Sequence, residues 1–331
     1  MSLPRKSQKL TFSVTAKMLS ERVDKALAAV PEIGSRSQAL KLLQMGAVRK
    51  DGKIIKPSYK ILMGDVLDID VPIIETEHLL PYDFPLDIVF EDSELIVLNK
   101  PAGLVVHPAY GHAQDTLVNA LLHYTTDLSL GYNEKRPGIV HRIDKGTSGL
   151  LVIAKNDNAQ RVLAKQFQKK TTHRVYFAIA YGVFKDKSGT MRSFLNRHPE
   201  NRQKVVSSAA EPGRHSVTHY KVIEEHSGIS LVQLKLETGR THQIRVHLSD
   251  LEHPILGDLV YSSAKRSKNL RSMKIRGFID AMNRFALHAA ELGFVHPLNG
   301  ESMIFKVGWP DDLIELVRLC GFREDLTAEG P

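Results

Sequence analysis

The sequence predicts an α/β protein in two parts: a larger domain in which helices flank a sheet, preceded by a small α/β domain. Three observations carry that reading. Segments with apolar residues at helical spacing alternate with short apolar or alternating runs along most of the 331 residues, the pattern of helices packed on strands. Pro72, Pro81 and Pro85 punctuate a polar run, which marks a linker at 76–85 between domains at 1–75 and 86–331. Charge also shifts along the chain: residues 1–75 hold 13 Lys/Arg against 8 Asp/Glu, 76–156 hold 6 against 10, and 157–220 hold 12 against 4. Two basic zones therefore flank an acidic one, and the net charge of +8 favours an anionic partner.

Bulk composition excludes several classes. At 42% apolar and 25% charged the chain is that of an ordinary globular protein. No run approaches the ~20 apolar residues of a membrane span, and the start lacks the apolar core of a secretory signal, so a cytoplasmic protein is expected. The single cysteine, Cys320, excludes an internal disulfide and a thiolate-rich metal cage.

Residues 1–16 are basic and polar and are expected to fray, with order beginning near Lys17. Ser35-Arg36-Ser37-Gln38 has the form of a capping box, Ala39, Leu40, Leu42 and Leu43 supply an apolar face, and Gly46 suits the end of that helix. Ala47–Lys50, the turn pair Asp51-Gly52 and Lys53–Ile55 read as a hairpin. Leu67, Ile69 and Val71 alternate with Asp68 and Asp70 as a strand with one wet face. This order, over about residues 17–75, resembles the small RNA-binding module named after ribosomal small-subunit protein four. The resemblance makes Arg22, Arg36, Lys41, Arg49 and Lys50 the candidate RNA contacts. The bland alternative is a small structural domain with ordinary surface cations.

In the larger domain, 86–90 and 95–99 read as strands, and Asp115-Thr116 caps a helix with Leu117, Ala120, Leu121 and Tyr124 on one face. In the stretch Gly138–Lys155, charged and small residues from His141 to Gly149 interrupt two apolar runs, which reads as strand, tight turn, strand, with Asp144 near the turn. Taken alone, Asp144 either bonds its own backbone or presents a carboxylate to a cleft. Asn156 or Asp157 caps a helix with Ala159, Val162, Leu163 and Phe167 inward. A strand follows over 174–184, with Tyr176 on the face opposite Val175, Phe177 and Ile179. Residues 185–217 are polar and basic and read as loops and short strands. Ser230–Leu236 is a strand, a helix begins near Thr241 with Arg240 at its mouth, and Asp311–Leu319 is a closing helix. Lys265–Arg276, with six basic and no acidic residues, reads as an exposed loop, by default solvated.

The run His141-Arg142-Ile143-Asp144-Lys145-Gly146-Thr147-Ser148-Gly149 closely resembles the His-Arg-Leu-Asp-x-x-Thr-Ser/Thr-Gly signature of the RluA-type pseudouridine synthases, with Ile143 in place of Leu and Gly146 where Asp is common. Lys100–Pro108, Glu237–Leu248 with His253–Tyr261, and Arg284–Pro297 resemble three further motifs of that family, in the expected order. The resemblance implies a catalytic domain on a long mixed, largely antiparallel sheet. It also implies that Asp144 is the nucleophile, that Tyr176 is the catalytic tyrosine, and that an arginine pairs with Asp144. Arg240 takes that pairing, and Arg245, otherwise counted among the RNA contacts, is the second choice. Arg142 resembles the residue that fills the gap left by the flipped base.

Isomerising uridine requires cutting the bond from base nitrogen to sugar, turning the base and rejoining it through carbon. A single carboxylate can trap or deprotonate the sugar, much as in glycoside hydrolysis. No cofactor or metal is expected. His242, His247 and His253 invite a zinc reading, but i, i+5 positions face apart on a helix and no usual ligand completes the set. The expected activity is therefore an isomerase, an RNA pseudouridine synthase acting as a monomer on ribosomal RNA of the large subunit. The rival from another class is a non-catalytic RNA-binding or assembly protein on the same fold. A glycosidase-like hydrolase lacks a clear second carboxylate.

Overall fold

The computed structural model describes residues 7–14, 21–28, 30, 33, 36–72, 79–109, 111–129, 136–201, 203–263 and 266–326. The chain divides into two units, Met1–His78 and Leu79–Pro331.

In the first unit β1 (Ser7–Ser13) precedes α1 (Val23–Leu27), α2 (Arg36–Gln44), β2 (Val48–Lys50), β3 (Lys53–Ile54) and β4 (Val66–Pro72). The four strands run in the order β1-β4-β2-β3, all antiparallel. The Asp51-Gly52 pair joins β2 to β3 with φ of 48° and 75°, the double positive φ that a two-residue hairpin turn requires. Val23, Leu27, Ala39, Leu43, Ile61, Leu67 and Ile69 make this unit's own core. The structure corrects the reading of the first residues. Ser7–Ser13 does not fray but pairs along its whole length with β4, and the alternation of Leu10, Phe12 and Val14 is its signal. Ser35 and Lys17 lie outside the described residues.

The second unit begins with β5 (Ile88–Glu91), β6 (Leu95–Lys100), α3 (Leu117–Tyr124), β7 (Ser148–Ala154), α4 (Asp157–Lys169) and β8 (His173–Tyr181). It continues with β9 (Ser188–Arg197), β10 (Val205–Ser208), β11 (Arg214–His226), β12 (Ile229–Leu236), α5 (Gln243–Asp250), α6 (Met273–Ala281), β13 (Leu287–Val295), β14 (Ser302–Lys306) and α7 (Asp311–Cys320). One mixed sheet runs in the order β10-β9-β11-β12-β8-β13-β7-β6-β5, with β14 beside β13. Among the described pairs only β13 with β7 is parallel. Every residue of β7 is buried, as expected for a central strand covered on both faces. Each of its four large aliphatic side chains contributes about 1.5–3 kcal/mol by leaving water.

Two stretches differ from the sequence reading. The polar stretch read as loops and short strands carries β9, ten residues long, the short edge strand β10 and the start of the thirteen-residue β11. From Ser188 to Arg192 in β9 exposed positions alternate with less exposed ones, so polar residues there line a face that is wet. The basic stretch before Arg276 is also no simple loop. It contains a 3-10 turn at Ser267–Asn269 and the start of α6, where the Ser272 hydroxyl accepts from the Ile275 amide at 3.3 Å. Ile275 and Ile279 are buried one helical turn apart, which holds α6 on the core. Lys265 lies outside the described residues.

Candidate active site

Sheet register brings distant segments together. Lys100 pairs with Gly149, Gly149 with Ala289, Ala289 with Tyr176, and Tyr176 with Leu234, a single row across β6, β7, β13, β8 and β12. Gly149 allows this because its φ is 114° and a Cβ there would collide with the Ala289 carbonyl. Asp144 lies four residues before β7, and α5 follows β12, so both reach the same end of the row.

The approach to β7 is not the strand expected from the sequence. It is an irregular segment with one bridge, between Ile139 and Ile153, and side chains hold it in place. The Val152 amide donates to His141 Nε2 at 3.1 Å, and the His141 ring stacks on Phe167 at 4.3 Å. Beyond Asp144, the Thr147 amide closes a turn on the Asp144 carbonyl at 3.0 Å. The Gly103 amide and the buried Lys100 ammonium both donate to the Lys145 carbonyl, at 2.8 and 3.3 Å. Lys100 also donates to the carbonyls of Pro101 and Leu104, at 2.6 and 2.9 Å. Burial and the nearby Arg284 pull its pKa down to about 7, while the Asp144 carboxylate opposes them. Gly146 leaves room for Phe285, whose ring would lie 2.9 Å from a Cβ there.

The arginine beside Asp144 is Arg245, not Arg240. Arg245 Nη1 lies 3.4 Å from Asp144 Oδ2, while Nε and Nη2 grip Asp258 at 2.7 and 2.9 Å. Its guanidinium sits 4.2 Å from the Phe285 ring centroid and 5.0 Å from that of Tyr261. Arg245 is only 5% exposed, yet it reaches the wall of the cleft that holds Asp144. Arg240 is exposed and donates through Nε to the His215 carbonyl at 3.3 Å. The error has a cause in the helix: Gln243 through Leu248 are all buried, so an amphipathic pattern does not single out the inward side.

Tyr176 is buried and lines, with Asp144, Arg174, Ile244 and Leu236, a small cavity of about 50 Å³. Burial raises its phenol pKa, Arg174 opposes that, and the Asp144 charge adds to it. Next to this cavity opens a cleft of about 950 Å³ lined by Asp144, Arg142, Lys145, Arg197, Arg214 and Arg240 among others. Arg142 is exposed there, with Nη1 3.4 Å from His107 Nε2. Seven cations, Arg245 and Arg284 included, against the two carboxylates of Asp144 and Asp258 suit a polyanion. Sequence reasoning missed Asp258, Tyr261, Lys100 and the place of His242, whose Nε2 is 4.0 Å from Asp144 Oδ2. Only the family-like runs Lys100–Pro108, Glu237–Leu248 and His253–Tyr261 carried a signal for them. The three histidines of the rejected zinc reading are apart in role. His242 meets Tyr261, His247 meets Ser193, Ser216 and Thr218, and His253 stacks on Phe184.

In the first unit the candidate RNA contacts have partners within the chain. Arg22 and Arg36 both bond the fully buried Asp24, at 2.9 and 3.0 Å. Lys50 pairs with the buried Asp65, and Arg49 with Asp70 at 3.3 Å. The side chain of Lys41 lies outside the described residues.

Comparison with known proteins shows what the whole chain is similar to. Residues 94–250 match the family model described as RNA pseudouridylate synthase, and residues 21–67 match the S4 domain. The chain is 42% identical over 310 residues to the ribosomal large subunit pseudouridine synthase D of Zymomonas mobilis, covering 93% of this chain and 96% of that one. It is 39% identical over 312 residues to the protein of the same description from Escherichia coli strain K12, covering 94% of each. Among solved structures it is similar to human RNA pseudouridylate synthase domain containing 1, with a TM-score of 0.54 and 25% identity over 71% of this chain and 87% of that one.

Proposed function

Since the chain belongs to the RNA pseudouridylate synthase family and is an isomerase acting on RNA, we propose that its substrate is large-subunit ribosomal RNA, modified in the cytoplasm, with Asp144 as the nucleophile. The observation that carries the assignment is a carboxylate in a basic cleft whose one arginine neighbour, Arg245, is already gripped by Asp258. Such a carboxylate keeps an oxygen free for the sugar. The non-catalytic reading leaves this arrangement without a purpose.

In the reaction Asp144 meets the ribose of the flipped uridine, the bond from C1′ to N1 breaks, and the uracil turns. C1′ then bonds C5, N1 takes up a proton from water, and the proton on C5 leaves. We assign that proton to the Tyr176 oxygen, because Arg174 lies where it favours the phenolate against the burial that raises the phenol pKa. Arg142, exposed two residues before Asp144, takes the vacated place in the RNA stack. The N-terminal unit, matched by the S4 domain over 21–67, docks flanking RNA, with 76–85 as its linker.

RNA tritiated at carbon 5 of uridine should release tritium on incubation with the protein in chelator-containing buffer. Pseudouridine mapping in cells with and without the gene should show sites missing from the large-subunit RNA. Sites missing from transfer RNA alone would refute the substrate assignment. Tyr176→Phe should slow product formation by about 10² to 10⁴-fold. Because the phenol starts protonated, the wild-type rate should climb as pH rises toward its raised pKa, and a flat profile would confine Tyr176 to packing against the base.

A further inference from the structure

Beside Asp144 stands a histidine whose two nitrogens have distinct surroundings. His242 begins α5 with φ of 57°, a left-handed conformation uncommon for residues other than glycine. Its ring meets Tyr261 edge-on, at 5.6 Å and 84°, and Nδ1 lies 2.9 Å from the Tyr261 hydroxyl. That hydroxyl accepts the Val205 amide proton at 2.8 Å, so its own proton is free to go to Nδ1. Burial, ahead of smaller effects, pushes the Tyr261 phenol up to about 12, and it stays a donor. Burial likewise lowers the His242 pKa, against the pull of Asp144. A neutral imidazole that accepts at Nδ1 carries its one proton at Nε2. Nε2 faces Asp144 Oδ2 at 4.0 Å, too far for a hydrogen bond between them, and both side chains remain partly exposed, at 20% and 17%.

We propose that His242 is a further catalytic residue: its Nε2–H donates to the ribose 2′-oxygen of the target uridine, with Tyr261 and the Val205 amide fixing the tautomer. The proposal rests on the assignment of Asp144 to the sugar. If Oδ2 contacts C1′ or the hydrogen on C2′, the oxygens one or two bonds from C1′ come within reach of a donor 4.0 Å from Oδ2. Two oxygens qualify, the 2′-hydroxyl and the ring oxygen. The ring oxygen must lend its electron pair to the cation that forms at C1′, and a donor there would oppose the reaction. The 2′-oxygen has no such conflict. His242 therefore holds the sugar against Asp144 and reads the group that distinguishes RNA from DNA.

The test uses full-length protein and a ribosomal RNA fragment carrying a uridine identified by the mapping. His242→Leu should lower the single-turnover rate about 10- to 100-fold, the range for losing one hydrogen bond in a closed site. His242→Gln, whose amide N–H can stand near Nε2, should recover most of that loss. A purely structural role would not separate these two variants at matched melting temperature. Dissociation constants measured in an Asp144→Asn background then report recognition without turnover. Replacing the target ribose by 2′-deoxyribose should weaken binding about tenfold with His242 present and no more than about twofold with His242→Leu. Equal penalties in both backgrounds, or Gln falling as far as Leu, would overturn the proposal. Turnover persisting in Asp144→Asn alone would instead sink the nucleophile assignment, while the ribose cycle would still report on His242.

Discussion

The two units each hold an aspartate against arginine, and they use the pair in opposite ways. Asp24 in the first unit is fully buried and takes bonds from both Arg22 and Arg36, so its acceptors are spent inside the fold. Asp144 in the second unit has one arginine, at 3.4 Å, and that arginine's better bonds go to Asp258. The chemistry of the partners is the same, and the degree of saturation differs. A saturated carboxylate joins helices, whereas an unsaturated one in an open cleft keeps an oxygen for a substrate.

The largest effects should come from neutralising each carboxylate. Asp144→Asn should lower turnover by on the order of 10⁴-fold or more and leave RNA affinity and melting temperature nearly unchanged. Asp24→Asn should do the reverse, costing on the order of 2 kcal/mol of stability in its own unit while saturated turnover on a short substrate stays near wild type. Parallel kinetics and thermal melts decide this, and the comparison breaks if both variants lose the same property.

Next in size is the arginine behind Asp144. Arg245→Lys keeps the charge but cannot grip Asp258 with two nitrogens while a third faces Asp144, so turnover should fall about 10²-fold. Arg240→Ala, on the cleft wall, should weaken RNA affinity a few-fold and spare the saturated rate. Reversed results would restore the pairing that the sequence suggested.

Finding Arg245 rather than Arg240 beside Asp144 shows where sequence reading stops. Local signals carried the elements well: the Asn156 cap on α4, the Asp51-Gly52 turn and the alternation of β4 are all decided within a few residues. The site is assembled from partners far apart in sequence, such as Arg245 with Asp144 and Tyr261 with Val205. Which way Arg245 faces depends on α5 being buried on every side. Nor does periodicity announce β13, which is central in the sheet yet reads as a run of small and polar residues, Leu287-His288-Ala289-Ala290-Glu291. The basic stretch before α6 drew attention to charge and away from Ile275 and Ile279.

Acid should separate the units less sharply but measurably. Burial lowers the pKa of His107, His247 and His288 to about 4 and of His141 to about 3, with nearby arginines adding to it for all but His247. These groups are neutral when folded and bind protons more readily when unfolded, so the second unit should lose stability as pH falls from about 6.5 toward 4. Residues 1–75 contain no histidine. Arg22 first, then Arg36, hold the Asp24 pKa down against burial; at Asp65 burial pushes up and Lys50, the Leu62 amide and Tyr59 outweigh it. Their contribution is present above the unfolded carboxylate pKa and fades only as pH drops below about 4. Hydrogen exchange resolved by segment at pH 7, 5.5 and 4.5 should show the second unit opening first.

The smallest effect on chemistry should come from deleting residues 1–75. No residue assigned to the reaction lies there, and Leu79–Pro331 has its own core, so saturating short substrate should turn over near the full-length rate. Affinity is another matter, because a tethered module raises the effective concentration of the cleft on a large RNA. Arg22, Arg36, Arg49 and Lys50 already face carboxylates, so few phosphates should be neutralised here for the cations present. Every phosphate that the shortened protein no longer neutralises flattens the slope of log affinity against log salt by about 0.7 to 0.9, and a change of one to two such steps is expected. A change of four or more would mean that these cations leave their carboxylates for RNA. An unchanged slope and affinity would mean that the unit does not touch RNA. A collapsed rate in a folded fragment would show that the saturated, structural half of the molecule helps to build the reactive half.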